Sequence, residues 1–171
     1  MTTVLVTGGA GYVGSVSVAA FLAAGHRVIV LDDLSTGHRA AVPADASLVV
    51  GSYADQAALA GLLRREGVEA ILHCAARSLV GESTRDPARY YRDNVAGGVE
   101  LLEAARDVGV ERLVFSSTAA VYGVPTATPI PEGAVLAPIN PYGETKRAFE
   151  GALAWYGAAY GLRSVTRVDA A

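Results

Sequence analysis

The stretch that most constrains this chain runs from Thr2 to Leu34. An apolar run, Thr2 to Val6, enters Thr7-Gly8-Gly9-Ala10-Gly11-Tyr12-Val13-Gly14. A helical segment follows from about Gly11 to Ala24, and a second apolar run, Val28 to Leu31, ends at Asp32. Read as strand, glycine turn, helix and strand, this is the order of a dinucleotide-binding unit. Glycines let the backbone turn sharply and approach a pyrophosphate. The helix start behind them offers unpaired N–H groups and a positive dipole end. An acid closing the second strand accepts hydrogen bonds from ribose hydroxyls and repels a 2′-phosphate, so NAD is expected over NADP. Two spacings fit. Gly9, Gly11 and Gly14 make G-x-G-x-x-G, and Gly8, Gly11 and Gly14 make G-x-x-G-x-x-G.

At 171 residues, 51% of them hydrophobic, a single domain can bury a sheet on both faces. A formal net charge of −3, with scattered cations, excludes a nucleic-acid surface. The single cysteine, Cys74, cannot form an internal disulfide. The sequence opens directly on a strand, with no leader-like segment and no apolar run of membrane-spanning length. The expectation is a cytoplasmic protein with no membrane partner.

Strand and helix patterns alternate throughout, which predicts an α/β fold: a doubly wound parallel sheet in three α/β/α layers. Gly25 is expected to end the first helix, and Leu34 to Arg39 to form a polar loop beside the adenosine. Leu48 to Val50 is a short strand, Asp55 caps a helix to about Glu66, and Val68 to Cys74 is a buried strand. Arg77 to Ser83 reads as a loop and Pro87 to Val108 as one long helix. Glu111 to Ser117 is a strand leading to a proline-rich loop. Asn140 and Pro141 start a helix to about Tyr160, with Gly161 after it, and Leu162 to Val168 is a last strand.

Ligands of an open parallel sheet bind beyond the carboxyl ends of its strands. Three polar groups converge there: Thr118 past the fifth strand, and Tyr142 and Lys146, which share one helix face at i and i+4. A phenol ionises near pH 10 and is a poor base while protonated. An ammonium one turn away favours the phenolate, and Thr118 can orient a substrate hydroxyl. The Tyr–Lys spacing alone is a common coincidence; beside the glycine fingerprint it reads as catalytic. Asn94 reads equally as a surface residue. His73 reads as a hydrogen-bonded core residue, His26 and His38 as solvated, Cys74 as small and buried, and Tyr90, Tyr91 and Trp155 as packing. No metal-ligand spacing is present.

Six segments carry a resemblance: Thr7–Ser15 (TGGAGYVGS), Asp32–Gly37 (DDLSTG), His73–Ser83 (HCAARSLVGES), Tyr91–Asn94 (YRDN), Ser116–Gly123 (SSTAAVYG) and Asn140–Lys146 (NPYGETK). In this order they resemble the UDP-glucose 4-epimerase family of extended short-chain dehydrogenase/reductases, whose glycines take the G-x-x-G-x-x-G form. The resemblance implies a Rossmann fold over residues 1–171, tightly held NAD and a UDP-hexose substrate. It implies that Tyr142 is the base, Lys146 its partner on the nicotinamide ribose, and Thr118 the hydroxyl that orients the sugar. Gly8, Gly11, Tyr12, Val13 and Gly14 would line the pyrophosphate, and Asp32, Asp33, Ser35, Thr36 and Gly37 the adenosine ribose. Cys74, Ala75, Ala76 and Ser116 would lie along the cofactor, with Asn94 nearby. The implied reaction is transient oxidation at C4 to a 4-keto sugar that turns over before hydride returns. The resemblance also implies a homodimer through the helices at 87–108 and 141–160, and Val95, Val99, Leu102, Ala148, Ala152, Trp155 and Ala159 permit such a face; packing on the sheet is the other use for them.

Two departures matter. Where the family places an Asp that binds the adenine amine, Gly51 is followed by Ser52, which accepts only a weaker, uncharged bond, so either adenine affinity is lower or Tyr53 and backbone suffice. The family's Tyr-Phe-Asn motif and substrate domain have no counterpart after Val168, so the expectation is a shortened or partial protein that binds NAD with little turnover. The alternative is a non-catalytic NAD-binding domain or scaffold. Ala119 and Ala120 follow Thr118 where a related dehydratase carries an Asp-Glu pair, which argues against dehydration; decarboxylation of a UDP-uronate stays open.

Overall fold

A computed structural model describes residues 1–169 of the chain. Six strands form one fully parallel sheet: β1 (Thr3–Thr7), β2 (Arg27–Asp32), β3 (Ser47–Val50), β4 (Ala70–His73), β5 (Arg112–Thr118) and β6 (Arg163–Asp169). Their order is β3-β2-β1-β4-β5-β6. This is the doubly wound arrangement the alternating pattern predicts, and it reverses direction between β1 and β4. Val4 pairs with both Val28 and Ala70, and Thr7 with both Leu31 and His73. The carboxyl ends of the three central strands therefore lie level, so the loops that follow them meet in one place.

The strands carry apolar residues on both sides, and each side has its own core. Leu5, Ile29, Ile71, Leu113 and Phe115 pack with residues of α2 (Gln56–Glu66), α5 (Gly97–Val108) and α6 (Pro141–Tyr160). Val4, Val6, Val28, Val30 and Leu72 pack with Val18 of α1 (Tyr12–Ala23). Three helices cover one face and one covers part of the other. The fully buried Leu and Ile residues each contribute about 1.5–3 kcal/mol relative to exposure.

Caps fix the helices where the sequence places them. The Asp55 carboxylate accepts from Ala58 N at 3.0 Å and starts α2. Asn140 Oδ1 accepts from Gly143 N at 2.8 Å, with Pro141 as the first residue of α6. Gly25, at φ +79°, closes α1.

Four expectations need correction. The segment Arg77–Ser83 is not loop throughout, since α3 runs from Val80 to Arg85. The helix at 87–108 is not uniform: α4 (Pro87–Tyr90) passes into a wider π turn at Tyr91–Ala96 before α5. Trp155 does not pack; it is 75% exposed. Cys74 is half-buried, because it stands past the last paired residue of β4 on the wall of the cleft described below.

Candidate functional site

The glycine turn between β1 and α1 is built by contacts that only bare backbone allows. Gly8 has φ +70°, and a Cβ there would lie 2.6 Å from Ala75 N. A Cβ on Gly14 would lie 2.1 Å from Gly8 O. Gly8, Gly11 and Gly14 line the cleft, whereas Gly9 packs inward on Val30, which decides for the G-x-x-G-x-x-G reading. Gly11 precedes α1 without a side-chain cap, so no side chain satisfies the first N–H groups of that helix.

Asp32 braces the turn. Its Oδ2 accepts from Ala10 N at 3.0 Å and its Oδ1 from Leu34 N at 2.8 Å. Asp32 is 8% exposed and lines the cleft. Two carboxylate oxygens offer about four lone-pair sites, so acceptor capacity remains for a ligand hydroxyl.

The cleft has a volume of about 690 Å³, within the range of small-molecule sites. Every expected site residue lines it except Asn94: Gly8, Gly11, Tyr12, Val13, Gly14, Asp32, Asp33, Ser35, Thr36, Gly37, Ser52, Tyr53, Cys74, Ala75, Ala76, Ser116, Thr118, Tyr142 and Lys146. Arg77, Glu82, Asp93 and Ser117 line it as well, and sequence reasoning missed them. Arg77 and Glu82 stand inside His73–Ser83, a segment that carries the resemblance but reads locally as a loop, with no site role attached to either residue.

Tyr142 and Lys146 enter from the first turns of α6. That helix end is seated on the 3₁₀ turn Ala119–Tyr122, and a Cβ on Gly143 would lie 2.6 Å from Ala120 O. Thr118 Oγ1 accepts from Ala120 N at 3.2 Å, which leaves the hydroxyl proton to donate elsewhere. Lys146 is 4% exposed; its Nζ donates to Ser116 O at 2.8 Å and lies 4.6 Å from the centre of the Phe115 ring. A carbonyl dipole and an aromatic face both favour a cation there. One turn further along α6, Glu150 accepts a short hydrogen bond from Ser117 Oγ.

Beneath the lysine, His73 accepts or donates at 2.7 Å to Thr7 Oγ1 and stacks on Phe115. Burial, with Lys146 adding repulsion, pushes its pKa down to about 3, so the imidazole is neutral. This is the core role the sequence implied.

Asn94 lies behind the cleft wall. It is 4% exposed; Oδ1 accepts from Arg77 N at 2.8 Å, and Nδ2 donates to Arg77 O at 3.0 Å and to Thr145 Oγ1 at 3.1 Å. Thr145 in turn donates to Tyr142 O at 2.8 Å. The neighbouring Asp93 pairs with Arg77 Nε at 3.0 Å, and its carbonyl accepts from Tyr53 OH at 2.6 Å. The wide turn at 91–96 thus ties the β4 loop, the β3 loop and the start of α6 together. A phenol, an ammonium and a hydroxyl facing one cleft can move a proton at a bound hydroxyl group.

The model of the NAD dependent epimerase/dehydratase family matches residues 4–167. The UDP-glucose 4-epimerase of Corynebacterium glutamicum is 50% identical over 162 residues, covering 95% of this chain and 49% of its own length. That of Streptomyces lividans is 50% identical over 163 residues, with 95% and 50% covered. A crystal structure of UDP-glucose 4-epimerase from Brucella ovis in complex with NAD superposes with a TM-score of 0.95 at 45% identity, covering 98% of this chain and 51% of that one. The chain spans about half the length of the curated relatives it matches.

Proposed function

The chain belongs to the NAD dependent epimerase/dehydratase family, and on that footing we propose that it carries the cofactor-binding and proton-transfer half of a UDP-hexose 4-epimerase acting on UDP-glucose and UDP-galactose. NAD fits the residues present. The turn at Gly8–Gly14 is flattened by contacts a side chain would fill, α1 offers uncapped N–H groups, and Asp32 keeps lone pairs for the ribose. Bound there, NAD would supply the reversible hydride acceptor that oxidation at C4 needs.

The chain's own part is to hold the sugar and move one proton. Tyr142 takes the proton of the 4-hydroxyl and returns it. Lys146 favours the phenolate from one turn away. Thr118, its oxygen engaged by Ala120 N, donates its own proton to the sugar oxygen and holds it in line. Ala119 and Ala120 offer no carboxyl for dehydration. Asp32 is a carboxylate where a 2′-phosphate would sit, so NAD is preferred to NADP. A reducing cytoplasm suits a chain with one cysteine.

The observation that carries this reading is that Thr118, Tyr142 and Lys146 line the same cleft as the glycine turn. Calorimetry with NAD and a coupled assay of UDP-galactose conversion test it. NAD is expected to bind saturably, and Tyr142→Phe to lower any conversion by about 10²–10⁴-fold while leaving NAD binding intact. Absence of NAD binding would overturn the proposal. A second reading is an NAD-binding module without turnover. Its signature is tight NAD binding with no conversion.

We also propose a homodimer through the outer faces of α5 and α6. On α6, Trp155 and Tyr160 are 75% and 57% exposed and neighbour exposed Ala158 and Ala159. Two such helix pairs make a four-helix bundle.

A further inference from the structure

We propose, on the reading of Lys146 given above, that Glu150 is a positioning residue for that lysine and acts through Ser117. β4 pairs with β5 only as far as His73 and Phe115, whereas β6 follows β5 to Thr118 and Asp169. The last three residues of β5, Ser116 to Thr118, therefore outrun β4 and run on beside β6, an edge strand of the sheet. All three line the cleft.

Two successive turns of α6 grip this overhang. Lys146 Nζ donates to Ser116 O at 2.8 Å, and Glu150, four residues on, accepts from Ser117 Oγ. Side chains alternate along a strand. Leu113 and Phe115 pack in the core under α6, and Ser117, next on the same side, is buried as well. Its hydroxyl ends that row at the carboxylate, and a hydrogen bond to an ionised acceptor is roughly twice as strong as a neutral one. The latch fixes what flanks Ser117: the carbonyl that docks the ammonium before it, and Thr118 after it. Glu150 stands outside the cleft lining, so it reaches the site through Ser117.

Lysine occurs once in the sequence, so a chain labelled with ¹³C,¹⁵N-lysine gives one side-chain signal. Nζ lies 4.6 Å from the centre of the Phe115 ring, so the neighbouring ε-methylene is expected upfield of a solvated lysine's. Ser117→Ala and Glu150→Ala are each expected to return it toward the solvated value, the double variant no further than either. Glu150→Gln keeps an acceptor oxygen and is expected to hold the signal in place. By calorimetry the two alanine variants should weaken NAD binding by about tenfold, and Glu150→Gln by less than about threefold. A bond that served stability alone would lower the melting temperature and leave the signal unmoved, and that outcome overturns the inference. So does a moved signal with NAD affinity unchanged in both alanine variants. If the unaltered chain binds no NAD, the functional reading fails, and the lysine signal still decides whether Glu150 sets Lys146. Ser117→Ala removes one oxygen atom and keeps the test in hand if Glu150→Ala does not fold.

Discussion

Gly14 and His73 show how much a single position can decide. A methyl group on Gly14 meets the Gly8 carbonyl at 2.1 Å, and both partners are backbone, so neither can yield without opening the turn. Gly14→Ala is expected to abolish measurable NAD binding and to lower the melting temperature; calorimetry and a thermal melt check this. His73 is neutral in the folded chain, with its pKa pushed down to about 3 by burial and then by Lys146, against 6.5 when unfolded. Between those values the unfolded chain binds the extra proton, so acid favours unfolding. Stability is expected to be full above pH 6.5 and to fall by up to about 1.4 kcal/mol per pH unit below it. Urea melts from pH 7.5 to 4.5 test this, and His73→Phe should flatten the acid limb although it removes the bond to Thr7.

At the scale of elements, two glycines within helices give opposite predictions for one substitution. Gly61 in α2 has open space where a Cβ would go, so Gly61→Ala should stabilise by about 0.5–1 kcal/mol. Gly98 in α5 faces Phe149, whose ring would lie 2.6 Å from the added carbon, and Gly98→Ala should destabilise by about 1–3 kcal/mol. Denaturant melts of both variants separate backbone propensity from packing. The π turn at 91–96 makes its own prediction: Asn94→Ala leaves Arg77 N and O unpaired behind the cleft and should cost about 2 kcal/mol with weaker NAD binding. Regular elements were legible in the sequence because their signals are local: Asp55 and Asn140 as caps, Pro141 behind one of them, and apolar runs for buried strands. The glycine turn and the Tyr142–Lys146 pair were legible for the same reason. The helix at Val80–Arg85 was hidden because it is short and lacks a side-chain cap. The wide turn was hidden because α-helical spacing is interrupted there only to aim Asn94 and Asp93 at partners distant in sequence. Of the two uses the sequence allows Trp155, packing and an outer face, its exposure excludes the first, which composition alone could not do because it cannot tell which face of α6 meets the sheet.

At the scale of the molecule, α6 has two working faces. Its inner face brings Lys146, Phe149 and Leu153 onto the sheet, and its outer face leaves Trp155 exposed. Sedimentation velocity is expected to show a dimer for the unaltered chain and a monomer for Trp155→Glu; a monomer in both would remove the case for the bundle.

Lys146 is the only lysine in the 171 residues, and it is 4% exposed, with its amine docked on Ser116 O. A lysine-specific protease therefore has one target bond, which is out of reach until α6 leaves β5. Cleavage into pieces of 146 and 25 residues becomes a clock for that opening. A ligand gripping the same lysine would slow the clock, so digestion alone can report occupancy of the cleft without any turnover.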